Sequence, residues 1–172
     1  GRMAEPNDIV EVILSALSRG ERGGVSLGDG MVSNSPLPNP LPKGEGILHG
    51  KKILITAGPT YEAIDPVRFI GNRSSGKQGY AIAQAALDAG AQVTLITAPT
   101  ALKPPVGARV MQAQTARQML DAVLQESAGS DALIMAAAVA DFRPKHLAKD
   151  KIKKEGGAPQ IELEATDDIL KA

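Results

Sequence analysis

The chain has 172 residues, enough for one domain with a proper core. Its formal net charge is zero and only 2% of its residues are aromatic. The first removes the field that would attract nucleic acid or an acidic membrane, and the second removes the platforms on which bases stack. No cysteine is present, so disulfides, thiolate metal sites and a cysteine nucleophile are excluded.

His49 and His146 stand apart, with no second ligand at metal spacing, which favours surface or packing roles. No metal site made of side chains is identified. No apolar run approaches the roughly 20 residues of a membrane span. The opening GRMAEPND lacks the apolar core of a signal peptide. A soluble, cytoplasmic protein without nucleic-acid or membrane partners is the expectation.

In chain order, residues 5–18 read as a short helix. Asn7 or Asp8 can cap it, and Ile9, Ile13, Leu14 and Leu17 share one face. Such a helix must dock on something, because alone it is too short to be stable. Residues 19–47, with SNSPLPNPLPKGEG, are rich in Gly, Ser and Pro and read as a linker, partly extended through its prolines.

The globular part begins at about Leu48. Lys52 to Thr56 (KILIT) is a buried parallel strand ending in the turn AGPT. Tyr80 to Ala89 is an alanine-rich helix stopped by Gly90, and Gln92 to Thr97 is a second strand. Ala98 to Gly107 is a proline-containing loop, after which Val110 and Met111 suggest a short strand. Thr115 opens a helix with Gln118 in the capping-box position and Leu120, Val123 and Leu124 as its apolar repeat. Asp131 to Ala138 (DALIMAAA) is a further buried strand. This alternation predicts an α/β fold, a Rossmann-like parallel sheet with helices on both faces.

In such a fold ligands collect at the carboxyl ends of the strands. Three stretches should therefore meet there: Ala57 to Thr60, Asn72 to Lys77, and the residues after Ala138. The middle one belongs to GNRSSGKQG, Gly71 to Gly79. Glycines beside Ser74 and Ser75 at a helix start form either an anion site or an ordinary loop and cap. The spacing Gly71 to Gly76-Lys77 imitates a P-loop. Gln78 stands where a P-loop needs Ser or Thr for magnesium, and Asp65, Pro66 and Arg68 interrupt the strand that should precede it.

Asp141, just past the third strand, is either a ribose or base acceptor or a turn cap. Ala136, Ala137 and Ala138 either admit a ligand to the backbone or simply pack closely. Lys149 to Lys154 is either a solvated face or, as Ile152 in its middle suggests, a run with one or two lysines held against the domain as point charges for a phosphate.

Taken together, KILITAGPTYEAIDPVRFIGNRSSGKQGYAIA, AAAVADFRP and KIKK resemble the bacterial type of phosphopantothenate–cysteine ligase, in blocks of matching order and spacing over about Gly50 to Ala172. GRMAEPNDIVEVIL resembles the last helix of the flavin-dependent decarboxylase that precedes this ligase in bifunctional bacterial proteins. The domain expectation is accordingly a residual decarboxylase helix over 1–18, a linker over 19–47 and the amino-terminal portion of a ligase over 48–172, truncated at the carboxyl end.

The resemblance implies a step of coenzyme A biosynthesis. The carboxylate of 4′-phosphopantothenate attacks CTP to give an acyl-cytidylate, and cysteine then displaces CMP. It implies CTP as nucleotide and Mg2+ on the triphosphate, with FMN and lyase chemistry confined to the absent decarboxylase domain. It places Asn72 beside the acyl-phosphate, Arg68 at the pantothenate site and Lys151 on the nucleotide, these three being the catalytic candidates. Met135, Ala136, Ala137, Asp141, Lys151 and Gly58 fall on the nucleotide side. Asn72, Ala138, Ser74, Ser75 and Lys77 fall on the substrate side. It also implies a homodimer or higher homo-oligomer when complete, and poor turnover for a chain that stops soon after TDDIL.

Two other readings compete. An NAD(P)-binding Rossmann domain needs G-x-G-x-x-G after the first strand, where this chain has AGPT. A nucleotide-binding regulatory or assembly module without turnover would share the blocks but release no pyrophosphate.

Overall fold

The computed structural model describes residues 5–18, 46–154 and 157–172. The linker expectation over 19–47 falls almost wholly outside the described residues.

Four apolar segments build one parallel sheet: β1 (Lys52–Ala57), β4 (Gln92–Thr97), β5 (Arg109–Gln112) and β6 (Ala132–Met135), in the order β5-β4-β1-β6. That order places the first strand inside the sheet, as in doubly wound folds. Side chains alternate across the sheet. Ile53, Ile55, Val93 and Leu95 enter one apolar cluster, while Leu54 and Ile96 enter the other. Helix α2 (Lys77–Asp88) covers the first face with Ile82, Ala83 and Ala86. Helix α3 (Ala116–Ser127) covers the second with Met119, Leu120 and Val123. Each fully buried leucine or isoleucine contributes about 1.5–3 kcal/mol. The predicted α/β class, a parallel sheet with helices on both faces, is the observed one.

The helix ends follow local chemistry. Thr115 accepts from the Gln118 amide at 3.1 Å, and the Gln118 side chain accepts from the Thr115 amide at 3.2 Å, so the predicted capping box is formed. Gly90, at φ 90°, takes the left-handed turn that ends α2. Helix α1 (Pro6–Ser18) lies against α2 and buries Ile9, Val10 and Ile13 in the first cluster. It begins at Pro6, a residue suited to a first helical position, which puts Asn7 and Asp8 in the first turn and not at the position before the helix where a cap was expected. The side chain of Leu17 lies outside the described residues.

Several expectations are corrected. Helix α2 starts at Lys77, one turn before Tyr80. Leu124 is 49% exposed, on the solvent side of α3. The strand expected over 131–138 is ladder-paired only at Ala132–Met135 and is half-buried, because β6 has a ladder neighbour on one side only among the described residues. Ala138 forms a single bridge to Pro59. Two short antiparallel pairs appear where no strand was expected: β2 (Tyr61–Ala63) with β3 (Phe69–Gly71), and β7 (Phe142–Pro144) with β8 (Leu163–Ala165).

Candidate functional site

The turn after β1 and the segment after β6 are sewn together at the carboxyl end of the sheet. Ala136 donates its amide to the Thr56 carbonyl at 3.2 Å, and Ala137 donates to the Thr56 hydroxyl at 3.2 Å. Ala138 donates to the Gly58 carbonyl at 2.9 Å and accepts from the Thr60 amide at 3.1 Å. Ala140 donates to the fully buried Thr60 hydroxyl at 2.8 Å. Ala136 and Ala137 are half-buried, one packed against each apolar cluster.

The loop before α2 joins the same mouth. The Asn72 side-chain amide donates to the Val139 carbonyl at 2.9 Å. Gly76 (φ 74°) and Gly58 (φ 80°) both take left-handed backbone, and a Cβ on Gly76 would lie 3.3 Å from Gly58 Cα. Gly79 brings α2 onto β1, since a Cβ there would stand 2.6 Å from the Ala57 Cβ. The hydroxyls of Ser74 and Ser75 accept from the amides of Gly76 (3.3 Å) and Lys77 (3.4 Å), so they shape the start of α2. Short β3 belongs to a separate two-stranded pair, not to the main sheet, which removes the P-loop arrangement.

A second knot lies beside the mouth. Asp65 is buried, and Oδ1 accepts from the amides of Val67 and Arg68, each at 2.8 Å. Oδ2 accepts from Arg68 Nε at 2.9 Å, Arg68 Nη2 at 2.5 Å and the Ile152 amide at 3.2 Å. Arg68 Nη2 also donates to the Ile152 carbonyl at 2.8 Å. Burial alone would raise the Asp65 carboxyl, but the donors from Val67, Arg68 and Ile152 outweigh it and hold the group well below the usual carboxylate range. The lysine run is thus anchored through the main chain of Ile152, whereas the lysines expected to be held against the domain, Lys149, Lys151, Lys153 and Lys154, are exposed.

The candidates therefore fall into two groups. Gly58, Asn72, Met135, Ala136, Ala137 and Ala138 are tied into one mouth, with Ser74, Ser75 and Lys77 at its α2 side and Asp141 exposed at its rim. Met135 also packs against the α3 cluster, its sulfur accepting from the Thr56 hydroxyl. Arg68 belongs to the Asp65 knot, and Lys151, next in sequence to Ile152, is exposed. Among the described residues, no hydrogen bond or ion pair links Lys151 to Asn72 or Asp141.

Thr60 lies in the turn expected at the mouth, but two other participants escaped sequence reasoning. Asp65 is one, although Asp65-Pro66 carried the signal of a side-chain-closed turn. The other is Glu62, buried on β2, which accepts from the Ala116 amide at 2.7 Å and so holds the hairpin on the start of α3. A cavity of about 550 Å³ lined by Lys52, Gln92, Arg109 and Glu126 opens at the opposite end of the strands and contains none of the candidate residues.

A parallel α/β sheet that carries, at the carboxyl ends of its strands, a Gly-Pro-Thr turn, an Asn-Arg-Ser-Ser-Gly-Lys loop and an alanine-rich crossing segment defines a doubly wound α/β domain. Residues 48–172 match the DNA/pantothenate metabolism flavoprotein C-terminal domain, and the chain belongs to that family. It is 57% identical over 125 residues to the coenzyme A biosynthesis bifunctional protein CoaBC of Mycobacterium tuberculosis, covering 72% of this chain and 30% of that protein. The Bacillus subtilis CoaBC is 52% identical over 125 residues, with 31% of its length covered. The chain thus spans about a third or less of these relatives. Among solved structures, the C-terminal domain of a CoaBC aligns with a TM-score of 0.63 and 52% identity, over 72% of this chain and 58% of that one. A Cab2 variant in complex with phosphopantothenate-cysteine aligns at a TM-score of 0.57 and 15% identity, which is a likeness of fold. The family match begins at residue 48, so it gives no support to a lyase reading at the amino end.

Proposed function

We propose that this chain carries part of a phosphopantothenate–cysteine ligase site that works through an acyl-cytidylate. A carboxylate oxygen of 4′-phosphopantothenate attacks the α-phosphorus of CTP, and the bond to the pyrophosphate oxygen breaks. The amine of cysteine then attacks the acyl carbon, CMP leaves, and the nitrogen loses a proton as the amide forms. These steps demand positioning and charge neutralisation more than a side-chain nucleophile.

The observation that carries the reading is the bond from Asn72 to the Val139 carbonyl, which holds an amide group at the point where loop and crossing segment meet. In this reading the Asn72 side chain stabilises charge on the reacting carbonyl. Gly58 and the 135–138 backbone accept the nucleotide and the pantothenate chain, with Asp141 as a hydroxyl or base acceptor. Lys151 and Lys77 supply point charges, and Ser74 and Ser75 shape the loop by taking the Gly76 and Lys77 amides at the start of α2. Arg68, whose side chain is 42% exposed, faces the pantothenate side. Among the described residues no group of three or more acidic or histidine side chains could hold a metal. In this reading magnesium would be carried on the triphosphate and would supply charge neutralisation there.

The wider assignment follows the family. Helix α1 is read as the end of a decarboxylase unit, residues 48–172 as ligase, and the complete protein as a cytoplasmic homo-oligomer. Exposed Phe69, Phe142 and Leu163 on the short sheets, with Val67 in the turn between β2 and β3, suit such an assembly. Among the described residues no helix is long and apolar enough to cross a membrane.

Pyrophosphate release with phosphopantothenate and CTP or ATP, magnesium present, with and without cysteine, tests the reading. Release that needs phosphopantothenate and prefers CTP supports it. A folded chain that binds CTP and releases nothing, even when joined to the remaining ligase sequence, overturns it in favour of a binding module.

A further inference from the structure

We propose that Asp65 is a positioning residue: with Arg68 it latches the main chain of Ile152 and so sets where the flanking lysines stand. An ionised carboxylate withdrawn from water is costly unless its lone pairs are met. Here they are met, but the local turn from Asp65 to Arg68 would suffice for most of that. The partner beyond this turn is Ile152, 87 positions away, whose amide donates to Oδ2 at 3.2 Å. The same ion pair takes the other main-chain group of that residue, because Arg68 Nη2 donates to the Ile152 carbonyl at 2.8 Å. One buried acid and its arginine therefore hold both hydrogen-bonding groups of one residue.

That residue sits inside a charge run. Lys149, Lys151, Lys153 and Lys154 are exposed, while Ile152 is half-buried. Like charges this close repel and favour a splayed, solvated loop. Further anchors lie toward the ends of the 145–162 connection: Lys145 donates its amide to the Glu162 carbonyl at 2.9 Å, and Ala148 donates to the Ile64 carbonyl at 3.1 Å. The latch is the link that reaches the lysines themselves. Its use in catalysis rests on the reading of Lys151 as a phosphate contact, whereas the latch does not.

The test reads the loop directly. Trypsin cleavage after Lys151, Lys153 and Lys154, and hydrogen exchange at the Ile152 amide, are followed in the wild type, Asp65→Asn and Arg68→Lys. Loss of a charge-assisted hydrogen bond predicts cleavage and exchange about tenfold faster in Asp65→Asn, with sites such as Arg109 and Arg117 unchanged. A folded Asp65→Asn with wild-type loop cleavage overturns the proposal. If that variant fails to fold, all sites accelerate together and Arg68→Lys decides. Acceleration confined to the loop sustains the latch, and an unchanged loop overturns it. Adding CTP with magnesium to the wild type separates the two readings. Protection of the loop supports the nucleotide role of the lysines, and lack of protection overturns that role while the comparison of variants still judges the latch.

Discussion

Asn72 and Val139 are joined by a hydrogen bond of 2.9 Å across 67 positions of sequence, side-chain amide to main-chain carbonyl. The bond commits one amide hydrogen of an exposed residue. Asn72→Ala should lower pyrophosphate release by about 10²–10³-fold, the cost of removing one donor from a developing charge. Its stability should fall by no more than about 1.5 kcal/mol, the net value of one hydrogen bond. A rate loss accompanied by wholesale unfolding would mean that Asn72 is structural.

Thr60 has a different fate. Its hydroxyl is fully buried and accepts from the Ala140 amide at 2.8 Å. Thr60→Val keeps the shape and leaves that amide without a partner, at a cost of about 1–3 kcal/mol. Urea denaturation should show a lower midpoint with an unchanged slope.

Two glycines give opposite expectations. A Cβ at Gly79 would stand 2.6 Å from the Ala57 Cβ and 3.0 Å from the Thr56 carbonyl oxygen, between a helix and the central strand. Gly79→Ala should therefore destabilise by about 1–3 kcal/mol through overpacking. At Gly129 the nearest atom to an added Cβ is the Glu126 carbonyl oxygen at 3.9 Å. Gly129→Ala should be neutral or stabilising by up to about 1 kcal/mol. Thermal melts of the pair check both.

Acid should loosen the Asp65 knot. The folded-state affinity of Asp65 for a proton is depressed, so its contribution is fully present above the unfolded value near pH ~4. That contribution is lost progressively as pH falls below it towards the folded value. Asp131, held down by the Lys52 amide and Lys51, and Asp168, held down by Lys171, act in the same direction. Melting temperature should fall steadily below pH ~4, and Asp65→Asn should flatten that fall while lowering the plateau above it. Parallel curves for the two proteins would show that Asp65 does not report on this transition.

Legibility divided along the range of the interactions. The strands KILIT and QVTLIT, the Thr115–Gln118 capping box and the Gly90 stop are written in neighbouring residues. Each depends on a run of apolar side chains, a hydroxyl three residues from an amide, or a backbone only glycine takes easily. The three blocks TAGPT, NRSSGK and AAVAD were also legible as residents of one strand-end mouth, because a parallel sheet brings the ends of its strands together.

What lay beyond the sequence was decided by contacts of long reach. Three-residue strands such as Tyr61–Ala63 and Phe142–Pro144 are too short to show a period, and they form because partners arrive from elsewhere. Glu62 was one more exposed-looking acid until α3 brought the Ala116 amide to it. Leu124 fits the apolar repeat of α3 yet faces solvent, since the width of the sheet beneath it sets how much of the helix is covered. By itself the sequence determined the parallel α/β class, the capping box of α3, the glycine stop of α2 and the motifs at the strand ends. Only the tertiary structure decided that Asp65, Arg68 and Ile152 share one knot, because a buried carboxylate takes whichever donors the fold delivers, here from 87 residues away.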